Sequence, residues 1–271
     1  IDDAPALAAL AERMRAEGRG LVALKAGRTA AGAAAAATHT AALVGAGAAS
    51  SAFLAQAGIA EVTTPAELVE TLKILHAAGP LPGRRICSVS SSGGEAGLVA
   101  DLAAPRRLDF PAPDPDRVAR MTDLLGPRAP IANPLDYHTY TWGDGPRIAA
   151  AFSEMLAGHD AGLFVIDPPR PDRCDPSSYA PALEAIGTAA RRTGRPAFAT
   201  ATLPETLDEA LAAQLSARGA VPLMGLETAL AAVEAAATEP GRRGWRPWQV
   251  MRTCATRTLT EAEAKVRLAA A

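Results

Sequence analysis

Hydrophobic positions along this chain switch repeatedly between two periods. From Asp3 to Glu17, Leu7, Leu10 and Met14 recur at helical spacing, with Asp3 as a cap, Pro5 early and Gly18 as a stop. "GLVALK" then reads as a short buried strand, the Ala/Gly run after it as a loop, Ser51–Gln56 as a helix and "GIAEVT" as a strand. Thr64, Pro65 and Glu67 form a capping-box signature for a helix running to about His76. "GPLPGRR" is a linker, after which a fresh alternation begins. "RICSVS", "AGLFVID", "PAFATA" and "AVPLM" each read as a strand, "AGLFVID" most strongly. Between and after them, helices are predicted over 98–103, 116–125, 146–156, 179–192, 205–218 and 226–237, while "IANPLDYHTYTWGDG" reads as a loop. Strands that alternate with helices and are apolar on both sides predict an α/β fold with a parallel, doubly wound sheet. Three segments follow: 1–79 as the back half of one such unit, 80–239 as a complete one, and 240–271 as a Gly/Arg/Pro/Trp linker leading into a helix capped by Thr260.

Composition narrows the partners. A 271-residue chain with 49% hydrophobic residues can bury real cores, and 4% aromatics means they are built from Ala, Leu, Val and Ile. A formal net charge of −2, with no basic block, argues against nucleic acid. No apolar run reaches the ~18 residues that span a bilayer, so no membrane partner is expected. Cys87, Cys174 and Cys254 lack CxxC spacing and read as reduced thiols of a cytoplasmic protein. His, Cys and carboxylates show no metal-ligand spacing, so no metal site is expected. The start at Ile1, amid the approach to a helix, and the capped helix at the far end read as a piece of a longer polypeptide.

Three constellations could carry chemistry. His39 stands between Thr38 and Thr40 in a stretch otherwise made of Ala and Gly. An imidazole can carry a phosphoryl group if its other nitrogen is held, and helix N-termini stabilise such an anion. On pattern alone a single surface or capping histidine is the commoner case. Next, "SVSSSGGEAGLVADL" places Ser90, Ser91, Ser92, Gly93 and Gly94 between a strand and a helix, which is either an anion-binding helix N-terminus or an ordinary tight turn. It has neither GxGxxG nor the P-loop lysine. Finally, "NPLDYHTYTWGD" gathers Asn133, Asp136 and His138 with Tyr137, Tyr140 and Trp142, a possible pocket for an organic acid or a loop packing on its own domain. Arg170 and Arg173 after "LFVID" suit a carboxylate or an inter-domain salt bridge, and His76 and His159 fit helix C-termini.

In this order the pieces resemble the nucleoside-diphosphate-forming acyl-CoA synthetases, relatives of succinyl-CoA synthetase. "LKAGRTAAGAAAAATHTAAL" (24–43) is similar to that family's "K-S-G-R" turn, Ala-rich run and phosphohistidine motif "S-H-T-G-A-L". "SSSGGEA" is similar to its "T-N-A-G-G-P-G", "NPLD" to its "N-P-x-D", and "LTEAEAK" to the start of its ATP-grasp domain. The resemblance implies a partial plus a complete flavodoxin-like (succinyl-CoA synthetase-like) doubly wound sheet. It also implies the interconversion of acyl-CoA, ADP and phosphate with organic acid, CoA and ATP through an acyl phosphate and a phosphohistidine.

On that resemblance His39 is the phosphoryl carrier, with Thr38, Thr40, Ser90, Ser91, Ser92, Gly93 and Gly94 binding phosphate or acyl group. No tightly bound cofactor is implied; CoA, ATP or ADP and Mg²⁺ would be used through CoA-binding and ATP-grasp domains outside this chain, in a homo-oligomer. The histidine's glutamate partner is expected just before Ile1, so these residues alone are expected to turn over nothing. Departures from the family are Ala41 for Gly, Ser91 for Asn and a bulky "YHTYTW". A catalytically inert binding or regulatory module of the same fold is the main alternative. A flavodoxin-like electron carrier fits poorly, because no loop has the hydroxyls and aromatics to clamp a flavin.

Overall fold

The computed structural model describes residues 1, 3–40, 47–238 and 265, with the backbone alone at 36–40. Helix α1 (Ala4–Ala16) opens where Asp3 accepts a hydrogen bond from the Ala6 N–H, at 2.8 Å. Strand β1 (Val22–Leu24) follows, then α2 (Ala30–Thr40), α3 (Gly47–Ala57), β2 (Ala60–Val62) and α4 (Pro65–Ala77). β1 and β2 pair in parallel, Val22 opposite Ala60 and Leu24 opposite Val62. The capping box of α4 forms as the sequence predicts: Thr64 accepts from the Glu67 N–H while the Glu67 carboxylate accepts from the Thr64 N–H.

The Ala/Gly run, expected to be a loop, is the helix α2. Alanine is the strongest helix former, and Thr29 starts the run by accepting from the Gly32 N–H at 3.1 Å. With no amphipathic period to read, the pattern argument missed a helix that propensity alone supports. Gly47 has a packing role: a Cβ there would lie 2.7 Å from the Arg28 carbonyl oxygen, so the start of α3 can rest on the turn after β1 only as glycine.

The second unit comprises β3 (Ile86–Ser90), α5 (Gly93–Ala103), α6 (Pro115–Leu125), β4 (Leu135–Asp136), α7 (Gly145–Ala157), β5 (Ala161–Val165), α8 (Ala180–Thr193), β6 (Ala197–Thr200), α9 (Glu209–Ala217), β7 (Val221–Leu223) and α10 (Leu226–Ala236). Three expectations are corrected here. α5 begins at Gly93, five residues before the predicted Leu98, because Ser92 caps it by accepting from the Gly94 N–H. The "NPLDYHTYTW" segment is not all loop: Leu135–Asp136 joins the sheet and Thr139–Thr141 forms a 3-10 turn. The helix expected over 205–218 is a 3-10 turn, Pro204–Thr206, followed by α9, which starts where Asp208 accepts from the Leu211 N–H. The helix expected after Thr260 lies outside the described residues.

All five strands are parallel, in the order β4-β3-β5-β6-β7. Numbered within the unit this is 2-1-3-4-5, the flavodoxin-like order. Alternate residues feed two cores. Cys87, Val89, Phe164 and Ala199 face a cluster with α6, α7 and α8, while Ile86, Leu163, Val165 and Phe198 face one with α5 and α10. Both faces are covered, so every residue of β3, β5 and β6 is buried, Ser88, Ser90 and Thr200 included.

The second cluster also takes in Ile74 of α4, fully buried against the complete sheet's helical layer. Glu70, one turn earlier, accepts from the Met224 N–H at 3.1 Å and from Lys73 Nζ at 2.6 Å. Leu81, inside the predicted linker, donates its N–H to the Ala236 carbonyl oxygen at 2.9 Å. The linker is thus stapled down, and α4 is shared between the two sheets.

Candidate functional site

A 2-1-3-4-5 sheet has one topological switch point, where the chain leaves β3 toward β4 on one side and returns to β5 on the other. The crevice beyond the carboxyl ends of those strands is the ligand position that such sheets provide. In this protein it is bounded by Ser90–Ser92 after β3, Asp136 at the end of β4, Asp167 just after β5, and the first turn of α5.

The serine turn is tightly organised. Ser90, buried, donates its hydroxyl to the Ser92 carbonyl oxygen at 3.1 Å. Ser92 then caps α5 through Gly94. A methyl group added at Gly93 would meet Asp136 Oδ2 at 3.4 Å, and one at Gly94 would meet Ser92 Oγ at 3.5 Å. These are ordinary contacts, and neither glycine has a positive φ. Packing therefore does not require glycine at either position; the two exposed glycines keep side chains off α5's first turn, where the Gly94 N–H is already given to Ser92, and a helix N-terminus bared in this way can receive an anion.

Charge on the rim works the other way. Glu95, third residue of α5, is held well above the usual carboxyl range, at about 7. Burial is the main cause, with repulsion from Asp167 and Asp136 adding to it and a hydrogen bond from Ser91 opposing it. One of its oxygens, Oε2, is buried with no hydrogen-bond partner among the described residues. Asp167 is clamped by Thr202, whose N–H and hydroxyl donate to it at 3.0 and 2.8 Å. Asp136 accepts from the His138 N–H at 2.8 Å, and its second oxygen lies 3.5 Å from His138 Nδ1. His138 holds φ +59°, the one positive φ outside glycine among the described residues. Its ring stacks on Tyr140 at 5.5 Å, and its Nε2 is buried without a hydrogen bond among the described residues. Tyr137, behind the serine turn, packs edge-on against Phe152 at 5.1 Å, and burial pushes its hydroxyl pKa up.

Asn133, read from sequence as a possible pocket residue, has a different job. Its carboxamide oxygen accepts from the Ser88 N–H at 3.0 Å, and its nitrogen donates to the carbonyls of Ile86 and Pro111 at 2.9 and 3.1 Å. Its carboxamide ties β3 to the segment at Pro111, beside the cis Asn133–Pro134 bond. Asp136 and His138 do reach the crevice with Ser91, Gly93 and Gly94. His39 is the next-to-last residue of α2; its side chain, and those of Thr38 and Thr40, lie outside the described residues. Lys25, in the turn before α2, has a buried Nζ with no hydrogen-bond partner among the described residues.

Arg170 pairs locally with Asp172 at 2.8 Å rather than across a domain boundary, and Arg173 lies 3.7 Å from the same carboxylate. His159 is buried beyond the end of α7, its Nδ1 2.6 Å from the Met155 carbonyl oxygen, and burial lowers its pKa. Burial likewise pushes the Cys87 thiol up to about 12, which leaves it inert. Among the described residues no cluster of His, Cys, Asp and Glu is arranged to hold a metal ion, and no helix is long and apolar enough to cross a membrane. Sequence reading missed Glu95 and Asp167. Ser92 and Glu95 form an S-x-x-E pattern that could have flagged the first, and the acid ending "LFVID" the second.

Comparison with known proteins fits this frame. Residues 1–75 match the succinyl-CoA ligase like flavodoxin domain. An ADP-forming acetate–CoA ligase of Methanocaldococcus jannaschii is 30% identical over 116 residues, 43% of this chain and 16% of that protein. Over that stretch the chain is similar to ADP-forming acyl-CoA synthetases. A further relative, a trans-feruloyl-CoA synthase from an unknown prokaryotic organism, is 32% identical over 131 residues, 48% of this chain and 18% of that synthase. In three dimensions the synthetase fold extends over most of the chain. An acetyl-coenzyme A synthetase of Ca. Korarchaeum cryptofilum, solved with phosphate and ADP, superposes with a TM-score of 0.69 at 21% identity, over 84% of this chain and 48% of that one. The chain thus spans about half of its solved relative and less than a fifth of these two curated ones.

Proposed function

We propose that this chain is the central portion of an NDP-forming acyl-CoA synthetase that interconverts acyl-CoA, ADP and phosphate with an organic acid, CoA and ATP, with His39 as the phosphoryl carrier. The observation that carries the reading is the glycine-bared first turn of α5 at the switch point, in a chain similar to these synthetases. There a phosphate oxygen would attack the thioester carbonyl, CoA would leave as its thiolate, and an acyl phosphate would form. An imidazole nitrogen of His39 would then attack phosphorus, releasing the carboxylate, and a terminal phosphate oxygen of ADP would take the phosphoryl group from histidine. The protein's part in such transfers is positioning and charge stabilisation. The N–H groups of α5 supply donors, and Glu95 is neutral in a good fraction of molecules at pH 7, so it donates to an anion rather than repelling it. CoA-binding and ATP-grasp domains would come from the rest of the polypeptide, in the cytoplasm. Acetate and trans-ferulate are the acids that the relatives' names supply.

The test uses the full-length polypeptide with radiolabelled ATP and Mg²⁺. Acid-labile, base-stable label that is absent from His39→Ala and discharged by CoA plus an organic acid is the expected result. Absence of such label in the wild type would overturn the reading. One observation favours a second reading, an inert ligand-binding module: Glu95, Asp136 and Asp167 crowd a crevice meant for an anion. That module would bind a small molecule at the same turn and acquire no label.

A further inference from the structure

On the same carboxyl edge of the sheet, one strand further along, lies a cavity of about 510 Å³ that the reaction outlined above does not use. Its volume falls within the range of small-molecule sites. It sits between the loop after β5 and the 3-10 turn before α9, floored by the starts of α8 and α9. Pro168, Pro169, Pro171 and Pro176 make much of one wall, with Leu183 and Leu211 beneath. Proline fixes its own φ, so that wall is pre-formed rather than assembled on binding. The Asp167–Thr202 clamp ties together the two loops that bound it.

The cavity begins where the α5 crevice ends: Asp167 bounds the crevice, its chain neighbour Pro168 lines the cavity, and Tyr179 lines the cavity as well. The Tyr179 ring meets Trp142 edge-on at 4.9 Å. Its hydroxyl also feels the charges of Glu95 and Asp167, which add to burial in raising its pKa. A molecule whose carboxyl group rests on the first turn of α5 could therefore extend past Tyr179 into the proline-walled space. The rim carries Asp172, Glu205 and Asp208. Asp172 holds the nearest cation, Arg170, in a two-point pair at 3.0 and 2.8 Å, and Asp208 is spent on the cap of α9. A second carboxylate would find no unpaired cation there.

We infer that this cavity receives the non-reacting part of the acid, and that the acid is a bulky apolar or aromatic monocarboxylate rather than acetate or a dicarboxylate. The inference rests on the ligase reading and adds the substrate class to it. Acetate would leave the space empty, and succinate would bring its second charge against the acidic rim.

The full-length polypeptide is assayed for ATP- and CoA-dependent thioester formation with phenylacetate, cinnamate, acetate and succinate. Phenylacetate or cinnamate should exceed acetate and succinate in kcat/KM by about tenfold or more, the discrimination that a filled apolar pocket gives. Ala210 and Ala180 line the cavity from solvent-exposed helix positions, so Ala210→Phe and Ala180→Phe obstruct it without entering the core. Each should lower the phenylacetate-to-acetate ratio by about tenfold. A preference for acetate or succinate, or a ratio unchanged in both variants, overturns the inference. If no acid forms a thioester, it is the ligase reading that fails. The cavity is then judged by ¹⁹F NMR of 4-fluorocinnamate with the same polypeptide. Line broadening lost in Ala210→Phe supports the site; no broadening, or equal broadening in the variant, overturns it.

Discussion

Replacing Glu95 with Gln isolates the electrostatics of the crevice. In the folded protein this carboxyl titrates at about 7 instead of 4.5, so between those values the folded state holds a proton that the unfolded chain has released. The unfolded state then binds fewer protons, and by linkage stability falls as pH rises through that window. Below 4.5 both states are protonated and the group costs nothing; above 7 the full penalty is present. That difference corresponds to about 3 kcal/mol. Part of the carboxyl group faces water, and solvent screening reduces the figure to about 1–2 kcal/mol. A negative charge in the first turn of a helix gains about 0.3–1 kcal/mol from the helix dipole, too little to reverse the sign. Glutamine keeps an oxygen to accept from Ser91 and removes the charge. In urea unfolding, Glu95→Gln should match the wild type near pH 4.5 and exceed it by about 1–2 kcal/mol at pH 8. A difference that does not change with pH, or a wild type that gains relative to the variant as pH rises, would refute the reasoning.

Two further variants separate bracing from binding. Asn133→Ala removes the acceptor for the Ser88 N–H and the donors to two carbonyls, and should cost about 2–4 kcal/mol by denaturant midpoint; a loss under about 0.5 kcal/mol would show that water replaces the brace. Gly94→Ala meets only ordinary contact and replaces the poorer helix former, so the urea midpoint should rise by up to about 1 kcal/mol equivalent. Histidine labelling of the full-length polypeptide should fall at the same time, because the methyl group crowds the exposed N-terminus of α5; unchanged labelling would mean that the glycine is not there for access.

The complete unit was legible because each of its inner strands is buried on both faces, so β3, β5 and β6 carry only apolar or small hydroxyl residues between helices and turns. Caps that depend on local chemistry, at Asp3 and Thr64, were readable for the same reason: donor and acceptor lie within a few residues. The errors arose where one signal drowned another. In α2 the absence of polar residues hid the helical period. At Gly93 two glycines looked like a turn, although Ser92 had already started the helix. The acidity of the crevice was hidden because Glu95, Asp136 and Asp167 belong to three separate segments that only the strand order brings together.

That acidity does not exclude an anion, because the three carboxylates are not three equal charges. Asp136 is occupied by the backbone and ring of His138. Asp167 is occupied by Thr202. Only Glu95 keeps a buried oxygen without a partner, and it is also the group whose environment favours the neutral form. On the ligase reading, an arriving anion would therefore meet the glycine-bared N-terminus of α5 and a carboxylic acid that can donate a proton in a hydrogen bond. Binding would raise the Glu95 pKa further and draw a proton from solvent. Under the ligase reading the crevice would take an anion together with a proton, and its affinity should weaken as pH rises above 7.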